Sequence, residues 1–385
     1  MVRLNRYIFI VAAVVFLSVS TCWSAGYEPR TLEVGESAPD FNLPGVDGEY
    51  YRLSDFAEAD ILVVIFTCNH CPTAQAYEER IMKLSADYKD KGVALVCISS
   101  NDPRAVRLDE LAWTDVGDSF EDMKIRAAER GFNFPYLYDG DKQEAARAYG
   151  PVTTPHTFIF DKARKLRYVG RIDSLEWQEK ADASTEARDA IDAILAGEEV
   201  KVKQTKTFGC SIKWSDKQES VKKEAESLAA EDVTVKTIDI KGVKELVKNN
   251  SKKLRLINVW ASWCGPCVAE FPELVKLHWI YRNRKTTEFE LVTISADPPK
   301  NTDGVLAFLK KFKASSTNYH YDSGNPYELV EAVDPKWPGG LPYTMLVKPG
   351  GEVIYRKMGM IDPLEVKRAI HGYYSAGLPW WVSEE

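Results

Sequence analysis

The sequence predicts an α/β architecture with two domains of one fold in tandem, each a central mixed sheet covered by helices on both faces. Three observations carry this. First, Trp260-Ala261-Ser262-Trp263-Cys264-Gly265-Pro266-Cys267 joins an apolar run, Leu256 to Trp260, to a helix start at Val268-Ala269-Glu270-Phe271-Pro272. Second, a copy lies 196 positions earlier (264 − 68): the strand-like run Ile61 to Phe66 delivers Thr67-Cys68-Asn69-His70-Cys71-Pro72 ahead of a helical stretch, Ala74 to Tyr88. Third, the likeness continues downstream of each pair. Thr154-Pro155-His156-Thr157-Phe158-Ile159-Phe160 matches Leu341-Pro342-Tyr343-Thr344-Met345-Leu346-Val347, and G-x-I-D follows at Gly170–Asp173 and Gly359–Asp362. A repeat this long is two copies of one domain.

Taken in order, Asp47-Gly48 marks a tight turn, so 41–53 reads as a hairpin before the buried strand 61–66. Residues 92–98 form a second, almost wholly apolar strand, and such strands alternating with helices point to a sheet covered on both faces. The stretch 101–118 is polar and irregular. A helix near 119–130, a strand at 135–138, a helix at 142–149, strands near 157–161 and 166–170 and a helix at 185–196 complete the domain. The basic run Val200 to Lys206 and the segment Phe208-Gly209-Cys210-Ser211-Ile212-Lys213-Trp214 differ in texture. Ser215 and Gln218 then have capping-box spacing for a charged helix to Ala229. This reads as a connector lying over the surface of the first domain. The second domain places strands at 233–239, 256–261, 289–295, 343–348 and 352–357, and helices near 241–249, 267–283, 304–312 and 363–375. The expected division is therefore 1–24 signal peptide, 34–197 first domain, 198–230 charged connector with Cys210, 231–376 second domain and 377–385 C-terminal tail.

The chain has 385 residues, 45% apolar and 28% charged, which suits two soluble domains with cores of their own. Its formal charge of −7, with no basic and aromatic cluster, excludes nucleic acid as a partner. Arg3 and Arg6 precede an apolar core from Tyr7 to Val19, short for a membrane span, and small residues follow. The expectation is export into the periplasm or cell envelope, with a membrane contact only if that segment stays uncleaved.

Cysteine usage points to chemistry. Six cysteines follow the signal stretch, and four of them form the two C-x-x-C pairs, which is no structural disulfide framework in a chain this large. Cys264 falls at a helix start, where free backbone N–H groups and the helix dipole favour the thiolate, and Cys267 lies one turn on to close a disulfide. Gly265-Pro266 brings no charge between them. Asn69-His70 sets an imidazole beside Cys68, and a protonated His70 would stabilise that thiolate and make the first pair the better oxidant. Electrons would then run from Cys264/Cys267 to Cys68/Cys71. Cys97 sits in an apolar strand and reads as core, whereas Cys210 is either packing or a third thiol that exchanges with Cys71. His278, His320 and His371 have no visible partners and read as ordinary helix or surface residues. Trp260 and Trp263 read as shields for the disulfide, and Trp380-Trp381 as C-terminal packing.

The second domain resembles exported thiol-disulfide oxidoreductases of the TlpA/ResA type, on Asn258-Val259-Trp260-Ala261-Ser262-Trp263-Cys264-Gly265-Pro266-Cys267, Glu270 and Pro272. Its strand, helix, strand, late hairpin and terminal helix follow the thioredoxin order. The resemblance implies that Cys264 attacks, Cys267 resolves, Glu270 tunes thiol ionisation and Leu341-Pro342 is cis beside the disulfide. The first domain resembles the redoxin, or AhpC/TSA-like, branch, on Ala38-Pro39-Asp40-Phe41, Leu43, Leu53-Ser54, Phe66-Thr67 and the tail Phe208 to Trp214. Thr154-Pro155 is its expected cis-proline. Peroxidatic peroxiredoxins carry P-x-x-x-T-x-x-C, whereas Thr67 stands four residues before Cys71 and position 64 is Val64, which argues against a peroxide pocket.

These readings imply two thioredoxin-like folds in tandem that exchange disulfides with protein thiols, fed by an upstream thiol reductant and needing no bound cofactor or metal. The alternatives are a thiol peroxidase in the first domain, a copper module built from Cys68, His70, Cys71 and His156, or a first domain that only docks. Ribbon spacing for zinc is absent, and Pro72 and Val268 stand where haem attachment needs histidine.

Overall fold

The computed structural model describes residues 29–174, 185–282 and 288–374. The signal stretch 1–24 and the tail with Trp380-Trp381 lie outside the described residues.

In the first unit β1 (Asn42–Pro44) and β2 (Tyr50–Arg52) form the antiparallel hairpin. There follow β3 (Ile61–Thr67), α1 (Pro72–Tyr88), β4 (Val93–Ser99), α2 (Phe120–Arg130), β5 (Tyr136–Tyr138) and α3 (Glu144–Tyr149). Then come the two-residue β6 (Thr153–Thr154), β7 (His156–Phe160), β8 (Leu166–Gly170) and α4 (Glu186–Leu195). The five-stranded sheet has the order β5-β4-β3-β7-β8, with β3, β4 and β5 parallel and β7 and β8 antiparallel. All 7 side chains of β3 are buried because both faces are covered. Ile61, Val63 and Ile65 pack with Tyr77, Ile81 and Ile191, and Leu62, Val64 and Phe66 pack with Tyr149 and Phe158.

The segment after α4 differs from its sequence reading. Val200, Ile212 and Trp214 are buried in the cores of the first unit, so this stretch supplies packing instead of only covering a surface. The physical reason is the apolar side chains it carries: Val200 and Phe208 join the cluster of Ile61 and Tyr77, and Ile212 and Trp214 join that of Leu62 and Phe66 on the other face of the sheet. Within it, β9 (Cys210–Ser211) pairs antiparallel with β6. The charged helix α5 (Gln218–Ala229) follows and buries no residue.

The second unit contains β10 (Lys236–Ile238), α6 (Ile240–Lys248), β11 (Leu254–Trp260), α7 (Gly265–Tyr281) and β12 (Phe289–Ser295). After these come α8 (Thr302–Lys311), β13 (Thr317–Tyr321), α9 (Pro326–Val333), β14 (Tyr343–Val347), β15 (Val353–Met358) and α10 (Pro363–Tyr374). The sheet order is β10-β13-β12-β11-β14-β15, the last two strands antiparallel to their neighbours. Both units are mixed sheets flanked by helices, the thioredoxin-like arrangement. β13 and α9 are not among the elements expected from the sequence. β13 is Thr-Asn-Tyr-His-Tyr, too polar to read as a strand, yet Asn318 and His320 are buried. Asn318 donates to the Ala314 carbonyl at 2.8 Å, and His320 lies 3.1 Å from the Asp297 carbonyl and 3.0 Å from Thr302 Oγ1. His371 is buried as well, 3.2 Å from the Tyr281 hydroxyl, and burial pushes His278 down to about 4. His278 and His371 are thus helix residues, as expected, whereas His320 and His371 are buried and have partners that the sequence did not show.

The two units touch through the irregular 101–118 stretch. Leu108, Leu111 and Ala112 pack into the apolar cluster that contains Cys264, Cys267 and Leu274. Arg368 of α10 donates to Glu129 at 2.6 and 2.7 Å and to Asp115 at 3.2 Å. No helix among the described residues is long and apolar enough to cross a membrane.

Candidate functional site

Cys264 is the N-cap of α7, as its position after β11 required, and the Cys267 N–H donates to its sulfur at 3.3 Å. The pair is joined as a disulfide. Cys264 keeps 6% of its surface and Cys267 none, so a partner can approach only the first sulfur. Cys264 opens into a cleft with Trp263, Pro266, Leu329, Trp337 and Leu341, and the Leu341–Pro342 bond is cis. Trp263 is 68% exposed at the rim. Trp260 instead is core, stacked on Phe308 with centroids 4.4 Å apart and edge-on to Phe271, because its strand position points it inward.

Glu270, on α7 beyond Cys267, is buried with Oε1 on Asn258 Nδ2 at 2.8 Å and Oε2 on the Ile361 N–H at 2.9 Å. Burial raises its carboxyl above the usual glutamate value, only partly offset by the Ile361 and Asn258 hydrogen bonds. A raised folded value means that Glu270 contributes stability below pH 4.5, lost as pH rises through the folded value. Glu270→Gln removes this slope, so the stability difference between variant and wild type should move in the variant's favour from pH 4 to 7, read by urea unfolding. A pH-independent difference would mean that Glu270 does not titrate there.

The first pair is not the equivalent of the second. The sheet registers place Phe66 opposite His156 and Val259 opposite Tyr343, the residues just after each cis-proline, so the domains superpose with an offset of 193 (259 − 66). Cys71 therefore corresponds to Cys264 (264 − 193), and Cys68 to Ala261. The local structure agrees, since Cys71 is the N-cap of α1 as Cys264 is of α7. Tyr77 takes the place of Glu270 and likewise reaches the G-x-I-D segment, its hydroxyl 2.9 Å from Asp173 Oδ1. The first domain thus has no counterpart of Glu270.

Around Cys71 the structure gathers groups that the sequence kept apart. Thr154–Pro155 is cis; Cys71 Sγ lies 3.4 Å from the Thr154 carbonyl, and Cys68 Sγ lies 3.2 Å from Thr154 Oγ1. The Cys210 N–H donates to Cys71 Sγ at 3.4 Å. Asp118, missed in the sequence, anchors the loop. Its Oδ1 accepts the N–H groups of Asn69 at 2.8 Å and His70 at 3.0 Å, and its Oδ2 bonds His70 Nδ1 at 2.5 Å and Asn101 Nδ2 at 2.8 Å. A lone aspartate at the end of a polar stretch gave no signal of this.

The charges follow from the contacts. Burial pulls His70 down, but the Asp118 charge and hydrogen bond outweigh it and hold the imidazole above its ordinary value. Burial also opposes ionisation of Cys71, yet hydrogen bonds from Cys210 and Cys68, the His70 charge and the Ala74 N–H bring it well below an ordinary thiol. Burial, donation to Cys71 and the Asp118 charge push Cys68 up. The expectation that His70 would favour a thiolate on Cys68 is therefore corrected: the favoured thiolate is Cys71. Cys97 is fully buried, and burial pushes its thiol up, as core.

Among the described residues, Cys68, His70 and Asp118 each offer one ligand atom within 4.8 Å of the others. His70 Nδ1 is already taken by Asp118, and Cys71 and His156 fall outside the group. His156 instead accepts the Val152 N–H at 3.2 Å and packs on Phe158, so the copper set read from sequence is not assembled.

Two mixed sheets, each with a cysteine at the helix start beside a cis-proline, define a tandem thioredoxin-like protein. Family models agree: the AhpC/TSA family matches residues 34–169 and Redoxin matches 228–369. The chain belongs to the AhpC/TSA and redoxin family, with two such domains in tandem. It is 35% identical over 153 residues to thioredoxin-like protein YneN of Bacillus subtilis, covering 39% of this chain and 80% of YneN. It is 32% identical over 122 residues to the thiol:disulfide interchange protein HelX of Rhodobacter capsulatus, covering 29% of this chain and only 61% of HelX. An uncharacterised conserved protein of Geobacillus kaustophilus, of known structure, is 39% identical and covers 49% of this chain and 96% of its own, with a TM-score of 0.43.

Proposed function

We propose that this chain is an exported thiol-disulfide oxidoreductase with two redox centres, which exchanges disulfides with protein thiols and relays electrons between its domains. One observation carries the reading: a disulfide at the start of α7 presents only Cys264 to an apolar cleft beside a cis-proline, with Cys267 sealed behind it. Such a site takes a protein thiol or disulfide, since the helix start receives the thiolate and the cleft receives an extended chain. The interchange name of HelX and the apolar leader support the export and exchange parts of the reading.

In this reading Cys264 attacks, Cys267 resolves, cis-Pro342 lies beside the cleft of Cys264, and cis-Pro155 lies beside Cys71. Glu270 tunes the second pair, and Cys71 with Cys68 forms the first centre under the influence of His70. An upstream thiol reductant supplies electrons, which run from Cys264/Cys267 to the first centre. A stabilised Cys71 thiolate favours the reduced form, which makes the first disulfide the stronger oxidant. Redox titration of Cys68→Ser/Cys71→Ser and Cys264→Ser/Cys267→Ser tests it, with the first centre expected at the higher potential. Equal or reversed potentials remove the relay. Turnover of hydrogen peroxide that requires Cys71 would replace the exchange role of the first domain by a peroxidase role.

A further inference from the structure

The first centre poses a difficulty of access. Cys71 is fully buried and Cys68 is 3% exposed, half of what Cys264 keeps, so a Cys68–Cys71 disulfide offers an incoming protein thiol little surface. Cys210 is different. It is the one member of this cysteine cluster that is only partly buried, and it packs directly on Cys68, Cys71 and Ala74.

The chain goes to some length to bring it there. Cys210 lies 139 residues from Cys71 in sequence and is returned by β9, which pairs Cys210 with Thr154, the residue before cis-Pro155. Gly209 makes the approach possible: its φ is +134°, and a Cβ there would collide with the Thr154 carbonyl. Beyond Cys210 the segment is locked down. The Lys213 N–H donates to Asn101 Oδ1 at 2.8 Å, its ammonium pairs with Glu110, and Ile212 and Trp214 enter the core. Asn101 in turn donates to Asp118, so one network holds the Cys210 segment and the His70 loop.

We propose that Cys210 is a third redox-active cysteine: it forms a disulfide with Cys71 and serves as the sulfur through which the first domain exchanges with outside thiols. The inference rests on the first domain being a disulfide-exchange centre. In the reductive direction, an incoming protein thiolate attacks Cys210 Sγ, the Cys71–Cys210 bond breaks, and Cys71 leaves as thiolate. The negative charge then sits at the start of α1, under the Cys210 and Ala74 N–H groups. The second thiolate of the same reductant attacks its own sulfur in the mixed disulfide and releases Cys210, which takes a proton from water. Two electrons pass from the dithiol partner, which becomes a disulfide, to the Cys71–Cys210 bond. Cys68, protonated and donating to Cys71, then acts as a support for the thiolate instead of as its partner.

The test is disulfide mapping of the full chain after oxidation by a small disulfide such as oxidised glutathione, followed by tryptic digestion without reductant. Cys68 and Cys71 share a tryptic peptide, so Cys68→Ser is the decisive variant. It is expected to yield the peptide containing Cys71 linked to that containing Cys210, and wild type the same cross-link. Cys210→Ser is expected to lose the link and to be oxidised in its first domain at least about tenfold more slowly by a protein disulfide. Wild type that gives only an internal Cys68–Cys71 disulfide, with Cys71 and Cys210 both free to alkylate in Cys68→Ser, overturns the inference and leaves the redox reading of the domain intact. A first domain that forms no disulfide in any variant overturns both.

Discussion

Cys264→Ser should abolish disulfide exchange by the second domain, a loss of roughly 10³-fold or more in the rate of reducing a protein disulfide, the scale on which enzymes respond to removal of a nucleophile. The size follows from accessibility. Cys267 is completely buried, so no second sulfur can take over the attack. The fold should survive, because the bridge closes a loop of sequence separation 3 and its removal costs only about 2 kcal/mol of chain entropy. Cys267→Ser should behave differently: attack remains, resolution is lost, and a stoichiometric mixed disulfide on Cys264 accumulates, visible by mass under non-reducing conditions. Insulin reduction with dithiothreitol as donor measures the first, and mass of the pre-reduced variant mixed with an oxidised protein substrate, free of dithiothreitol, measures the second. Near wild-type turnover in Cys264→Ser would move the chemistry elsewhere in the chain.

What the sequence made legible was what local pattern and chemistry carry together. Apolar branched runs bounded by turns gave the strands, and a cysteine between such a strand and a helix gave the N-cap position of Cys264. Both cis-prolines, at Pro155 and Pro342, were readable because each resemblance placed a proline before an apolar strand. The polar strand Thr317–Tyr321 was not, because its burial is met by hydrogen bonds to the Ala314 and Asp297 carbonyls, which no periodicity reveals.

The two pairs also differ in register. Identical spacing within Cys68-x-x-Cys71 and Cys264-x-x-Cys267 suggested that first matches first. Alignment of the strands shows that three residues and then a helix start follow each central strand, so the N-cap in the first domain is the second cysteine. The helix start selects the reactive sulfur, not the order within the pair. Asp118 and Cys210 were hidden for a related reason: each reaches Cys71 and its loop only through tertiary contacts, across 48 residues from His70 in one case and 139 from Cys71 in the other.

Asp118→Asn should turn His70 from a readily charged group into a neutral one and reverse the pH dependence it gives the fold. In the wild type Asp118 is held below the usual aspartate value: burial opposes this, but the His70 charge and the hydrogen bonds from His70 and Asn101 outweigh it. Its contribution is present above pH 3.8 and lost as pH falls through the lower folded value. His70, held above 6.5, contributes below that pH, and the contribution is lost as pH rises through its folded value. Asparagine keeps an oxygen for the two backbone N–H groups but turns an amide toward His70 and Asn101, leaving at least one buried donor unpaired at a cost of about 1–3 kcal/mol. What becomes of the imidazole is shown by His156, which has no carboxylate beside it and is pushed by burial down to about 3. With His70 moved the same way, the unfolded chain binds the extra proton, so the variant should gain stability as pH rises through about 6.5, where wild type gains none from this pair. Urea unfolding at pH 5 and pH 8, with the imidazole resonances of His70 followed by NMR, reads both effects. Unchanged slopes and an unchanged His70 titration would mean that the pair is not ionic, and Cys71 would then owe its thiolate to the helix start and its thiol neighbours alone. With the slopes reversed, the charge that stabilises Cys71 comes from His70 through Asp118, and the same substitution should lower the reduction potential of the first centre while leaving that of Cys264/Cys267 where it was.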